Sequence, residues 1–463
     1  MDKVTTQLIS YTKSFSESEL TEPVMESAVN HLVDSIAVAI AGSGSEPGQI
    51  LARLAKSVRN DRAATVFGYG FKTTPELAAL ANSMMIRTYD WNDGMLAPWG
   101  GHPSDMIPGL LAAGEVAHSS GMEILVAMAL AYELLGGIGW DIKVPRNDTG
   151  FDQGTFMGVA TALAVGKLWH LNDDQLANAA SLALVPNLPI AVSRWGELSM
   201  LKGCSNAFSV RNGVFSAMLA KEGFTSAPEP YEGTYGLCHF LGPFMPHLPV
   251  FAEGPRVVQM SHQKTIPADT QGLSLYDIVP RIRAWAAVDE IATIEIEAPD
   301  FAVRHVGDEA KYDPKNRETA DHSLPYMLAV ALVDGKITLD SYRPERFLDP
   351  ALRPVMRKIK MITTDEMDKI HKTQIFGATR PTPRRITIRT NSGRVFKEDV
   401  MWHRGTYKNP MTREDVNTKL DIICPGVVGD EQRERIRNAW WNVAQASDIN
   451  DPIKTMAGFR SLK

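Results

Sequence analysis

The runs Tyr89-Asp90-Trp91-Asn92-Asp93 and Trp99-Gly100-Gly101-His102-Pro103-Ser104-Asp105 put carboxylates, a histidine and a hydroxyl into one short stretch broken by glycine and proline. Loops of this kind are where a rigid scaffold displays reactive groups. The residue types supply a proton donor, a base and neutral hydrogen-bond donors, the equipment for moving a proton on a small polar substrate. A second reading stays open, in which Asp and Ser act only as helix caps in a connection between two helices. His102 precedes Pro103, so its backbone is biased to an extended conformation and the next helix should begin near Ser104.

The wording of this loop resembles the signature of the MmgE/PrpD family, whose members include 2-methylcitrate dehydratases, cis-aconitate decarboxylases and an iminodisuccinate epimerase. The Asp-Trp-Asn-Asp and Gly-His-Pro-Ser-Asp phrases are most similar to the dehydratases. Further matching phrases follow in the family's order: Met200 to Cys204 leading into Arg211 to Phe215, then Asn316 to Tyr326, then Asn409 to Glu414. The resemblance implies that Asp90, His102 and Lys202 line a substrate pocket and that Lys264 matches a lysine opening a lid domain. It also implies that Tyr312 lies near the place of a lid tyrosine in the decarboxylases.

These types suit an anionic substrate. A carboxylate enters a partly dry pocket only if its charge is met, and an unpaired desolvated ion costs several kcal/mol. Lys202 and Lys264 can pair carboxylates and stabilise the negative charge that develops when an adjacent carbon loses its proton. Met200, Leu201, Gly203, Cys204 and Ala207 surround Lys202 with small and apolar residues, unlike the surroundings of an ordinary solvated lysine. His102 can transfer a proton near neutral pH, with Asp90 or Asp93 orienting it. Ser104, Gln153 and Asp269 complete the candidate substrate-binding set.

Three positions depart from the family's pattern. Gln153 follows Asp152 where many relatives have histidine, and its amide neither takes nor gives a proton at ordinary pH. Gly94 stands where threonine is common, and Asp269 where the decarboxylases have histidine. Together they point to an altered substrate or altered chemistry.

The scaffold expected from the pattern is mainly α, a large all-helical bundle domain plus a smaller α+β lid domain. Thr21 should cap a helix with Val24, Ala28, Leu32, Ile36 and Ile40 on one face, ending at Gly42. Helical periodicity recurs over 121–135, 157–168, 172–184 and 205–221. Past residue 262 the period shortens: 291–298 and 385–389 alternate, and Asn391-Ser392-Gly393 reads as a hairpin turn before Val395. Residues 323–333 and 354–361 read as helices between these strands. The expected domains are 1–262, 263–411 and a segment 412–463, which the resemblance implies rejoins the helical domain.

The 463 residues are 44% hydrophobic, enough for two or three domains with sizeable cores. A net charge of −6 argues against nucleic acid as a partner. Cys204, Cys238 and Cys424 are too few and too scattered for a disulfide framework or an iron–sulfur cluster. No histidine pair at helical spacing suggests a metal site, and no phosphate-binding glycine loop follows a strand. The expected protein is a cytoplasmic hydro-lyase needing no cofactor or metal, binding no membrane, and forming a homodimer by family resemblance. Its small-molecule partner would be a di- or tricarboxylate such as 2-methylcitrate. Decarboxylation, epimerisation and a catalytically weakened binding role are the alternatives.

Overall fold

The computed structural model describes residues 1–194, 199–372 and 381–462. The chain divides into two compact units, one of residues 1–88, 92–261 and 412–463, the other of 89–91 and 262–411. Each is built around its own core, and the fold is mainly α.

The first unit is a helical bundle whose central members are Glu22–Ser43, Pro75–Arg87, Gly121–Gly137, Met157–Leu168 and Met200–Lys221. Glu22–Ser43 has the length and apolar composition to cross a membrane. Here it is a core helix, packed on Pro75–Arg87, Gly121–Gly137 and Arg413–Ile423. It also carries buried Asp34, whose Oδ1 accepts from Lys419 Nζ at 2.7 Å. That pair anchors the C-terminal helices to the bundle. The helix runs to Ser43 rather than ending at Gly42, because Gly42 serves a close crossing: a Cβ there would lie 1.9 Å from the Met85 carbonyl oxygen. Gly213 does the same for Met157–Leu168 against Met200–Lys221, with the Gly158 oxygen 2.5 Å from its would-be Cβ.

Capping residues set several helix starts. Asn172 accepts from Gln175 N, and Gln175 answers on Asn172 N, which closes a capping box ahead of Asp173–Leu184. Ser199 caps Met200–Lys221, so this helix begins five residues before the expected Ser205 and carries Lys202 in its first turn. The unit is not all-helical, since Arg59–Thr65 and Lys72–Thr73 form a two-stranded antiparallel ribbon.

The second unit holds a four-stranded sheet in the order Ile359–Thr363, Ile291–Ala298, Arg384–Thr390, Val395–Val400; the first pair is parallel and the others antiparallel. Ile294 pairs with Ile388 and Ile359, and Ile296 with Ile386 and Met361, so one face presents a continuous apolar row. That row shares a core with the Leu324–Asp334 helix. The expected helix over 354–361 is two elements, a short helix Arg353–Arg357 and the strand Ile359–Thr363. Buried Ile359 and Met361 flank exposed Lys360, a period of two hidden within a short apolar run.

Candidate active site

In the first unit the loop after Pro75–Arg87 is organised by Asp93. Its Oδ2 accepts from the Tyr132 hydroxyl at 2.6 Å and lies 3.1 Å from His31 Nδ1, while Oδ1 accepts from Ser104 N at 3.0 Å. Burial would raise this carboxyl, but the hydrogen bond and charge of His31, with Ser104 and Tyr132, bring it down to about 2. Asp93 and Ser104 are both buried, and their polar groups are spent on holding the loop. The sequence placed them among substrate-binding residues; the structure makes them the frame.

That frame fixes His102. Its Nδ1 lies 2.6 Å from the Asp93 carbonyl oxygen, which can only accept, so Nδ1 carries the proton. In the neutral ring Nε2 is then the basic nitrogen. His102 leads directly into the 3-10 turn Pro103–Met106, as its place before proline requires.

Gln153 lies against this loop. A Cβ on Gly101 would be 3.4 Å from Gln153 Cβ, Cγ and Cδ, about van der Waals contact, so the two residues lie side by side. Gln153 is 9% exposed, and among the described residues its Nε2 has no hydrogen-bond partner. A buried donor without a partner forgoes about 1–3 kcal/mol, which a ligand oxygen would return.

Next to Gln153, Asp152 is held by Arg194 through Nε at 2.6 Å and Nη2 at 3.1 Å. The same guanidinium reaches Ser205 Oγ at 2.9 Å, Asn206 Oδ1 at 3.1 Å and the Lys202 carbonyl at 3.4 Å. Arg194 thereby ties the Gln153 loop to the first turns of Met200–Lys221. Lys202 is partly buried there. Asn206 donates to Asp105 Oδ2 at 2.7 Å, and burial, opposed by Arg87 and Asn206, pushes Asp105 up to about 7.

In the second unit Lys264 is 1% exposed and donates to Asp90 Oδ1 at 2.6 Å and to the Asp90 carbonyl at 2.9 Å. Asp90 has φ +51°, a left-handed conformation that a non-glycine residue keeps only when its surroundings enforce it. Lys264 grips both the side chain and the backbone of that residue. The other Asp90 oxygen, Oδ2, lies 3.7 Å from His322 Nε2, which is also 3.7 Å from Asp269 Oδ2. His322 donates through Nδ1 to Asp321 Oδ1. Burial opposes charge on Asp269, but His305 and His322 outweigh it and hold the carboxyl well below its usual range.

Asp90, Lys264 and Asp269 are thus gathered in one unit, and His102, Asp93, Ser104 and Gln153 in the other. Tyr312 ends the turn Glu309–Tyr312, with its hydroxyl beside the Met361 backbone. Sequence reasoning missed His31, Tyr132 and Arg194, which have no local signal. His322 had a signal in the Asn316 to Tyr326 phrase, where an Asp-His pair leads into a capped helix.

A family model described as the MmgE/PrpD N-terminal domain matches residues 6–244, and one described as the MmgE/PrpD C-terminal domain matches residues 274–445. The chain is 23% identical to the cis-aconitate decarboxylase-like protein oryM of Aspergillus oryzae, over 98% of this chain and 97% of that protein. It is 24% identical to a cis-aconitate decarboxylase of Aspergillus terreus, over 98% and 96%. It is 26% identical to the 2-methylcitrate dehydratase of Escherichia coli, over 72% and 71%. With both models matched in order along most of its length, the chain belongs to the MmgE/PrpD family.

Proposed function

We propose that this protein is a hydro-lyase that converts a citrate-like acid, 2-methylcitrate or another alkylcitrate, to the corresponding aconitate-like alkene. The observation that carries the reading is the fixed tautomer of His102. With Nδ1–H spent on the Asp93 carbonyl, Nε2 takes the proton from the carbon beside a substrate carboxylate. The C–H electron pair becomes the C=C bond, the β C–O bond breaks, and the hydroxide leaves as water with the proton that His102 Nε2 has taken up. Gln153 cannot give that proton, so its role is to donate a hydrogen bond to a substrate oxygen through Nε2. Lys202, partly buried in the first turn of Met200–Lys221, supplies positive charge for a substrate carboxylate.

Decarboxylation is the second reading, favoured by the near full-length similarity to decarboxylases. The test incubates pure protein with citrate, 2-methylcitrate and cis-aconitate while alkene absorbance, carbon dioxide and stereochemical inversion are followed. Alkene without carbon dioxide supports the proposal. Carbon dioxide from cis-aconitate replaces it with decarboxylation, inversion alone with epimerisation, and inertness on every acid removes it.

A further inference from the structure

We propose that Asp269, His305 and His322 form a binding site for one first-row divalent transition cation of the zinc or cobalt type. The expectation of no metal site rested on spacing along the chain, which carries no sign of this cluster because its three residues sit on separate elements. Asp269 caps the Thr270–Tyr276 helix, His305 lies in the last turn of Asp300–Val306, and His322 just precedes Leu324–Asp334.

The spacing is that of ligands. Asp269 Oδ2 is 3.4 Å from His305 Nε2 and 3.7 Å from His322 Nε2, and the three ligand atoms all lie within 4.8 Å of one another. Two atoms bound tetrahedrally at about 2.1 Å from one zinc ion are about 3.4 Å apart. The Asp269–His322 gap is too long for a good hydrogen bond and close to the edge of such a tetrahedron.

Each ligand is also aimed from behind. His322 gives its Nδ1 proton to Asp321, the carboxylate–histidine arrangement that orients metal-binding imidazoles, and Arg317 Nη2 stands 3.6 Å from Asp321 Oδ2. Asp269 uses Oδ1 to accept from Gln271 N at 2.8 Å, and its own N–H donates to the Asp321 carbonyl at 2.9 Å, which leaves Oδ2 directed at both imidazoles. The His305 ring stacks on Phe301 at 5.3 Å.

Two imidazoles and one carboxylate suit zinc, cobalt, nickel or ferrous iron better than magnesium or calcium, which prefer all-oxygen sites. The His305 side chain is 42% exposed, so an ion has a route in. Three protein ligands leave a coordination position open, and Asp90 Oδ2, 3.7 Å from His322 Nε2, is a further oxygen at its edge. The inference stands apart from the lyase reading, because it is tested by metal binding and not by turnover.

The experiment titrates metal-stripped, full-length protein with cobalt(II) and follows visible absorption, with zinc added afterwards. One equivalent of cobalt should give a ligand-field band that zinc abolishes. His305→Ala, at a partly exposed position, should weaken binding on the order of tenfold or more, and Asp269→Asn should do the same. His118→Ala, which changes an exposed histidine elsewhere, should leave binding unchanged. Absence of the band, binding that survives both ligand substitutions, or an equal loss in His118→Ala overturns the proposal.

Discussion

Replacing Lys264 with methionine keeps most of the side-chain volume and removes the charge that faces Asp90. The two residues are 1% and 4% exposed, and the lysine donates at 2.6 Å to the carboxylate and at 2.9 Å to the carbonyl. Stranding one member of a buried pair costs about 3 to 5 kcal/mol, most of it the uncompensated charge. The Asp90 backbone adds to this, because its left-handed conformation costs on the order of 1 kcal/mol and loses the group that enforces it. Lys264→Met is therefore expected to lose about 3 to 5 kcal/mol from the unit of residues 89–91 and 262–411. Combining it with Asp90→Gly removes both the stranded carboxylate and the backbone strain. The remaining deficit is the lost hydrogen bond to the carbonyl and the lost packing, about 2 kcal/mol or less. Urea unfolding of the parent and both variants measures this, with hydrogen exchange on peptides from 262–411 assigning the transition. A Lys264→Met protein within about 1 kcal/mol of the parent, the range of exposed pairs, would refute the reasoning. So would a double variant no more stable than the single one.

His102→Gln should lower kcat by about 10² to 10⁴ with the fold intact, because a positioned base contributes that much; unchanged kinetics would take His102 out of the mechanism. Gln153→Leu, which deletes the buried donor, should raise KM by roughly tenfold, the effect of about 1.4 kcal/mol, with little loss of stability; steady-state kinetics beside a melting curve separates the two. The pH dependence of stability has two opposed parts. Asp93, held down to about 2, contributes stability that is present above about pH 4 and lost as pH falls towards 2. Burial pushes Asp105 and Glu133 up to about 7, so their contribution is complete below about pH 4 and lost as pH rises towards 7. Melting temperature should accordingly fall between pH 5 and 7, and fall less steeply in Asp105→Asn; a flat profile would contradict the assignment.

Long periodic elements were legible from sequence. Met157–Leu168 and Ile291–Ala298 have the expected bounds because their apolar spacing is unambiguous and turn residues flank them. Ile359–Thr363 was not, since a five-residue strand directly after a short helix offers too few positions to reveal its period. The ribbon strand Arg59–Thr65 was missed because its sequence, Arg-Asn-Asp-Arg-Ala-Ala-Thr, carries no alternation at all. The motif loop carries both His102 and Asp90, and the place of His102 before proline accounts for its backbone. What the loop could not reveal is which carboxylate is framework. Asp93 owes its burial to His31 and Tyr132 on distant helices, and their approach depends on packing rather than on any neighbouring residue.

The assignment of Tyr89 to Trp91 to the same unit as residues 262–411 bears on how this protein can be cut and recombined. The α+β unit is not a cassette encoded by one uninterrupted stretch, since three of its residues are specified far upstream. A gene fragment limited to 262–411 would yield a polypeptide whose Lys264 has lost the carboxylate it grips. A chimera that exchanged this fragment between relatives would pair one parent's Lys264 with the other parent's residue at position 90. Crossovers that respect the molecule must therefore carry the tripeptide along with the downstream segment, so position 90 and position 264 are inherited as a pair.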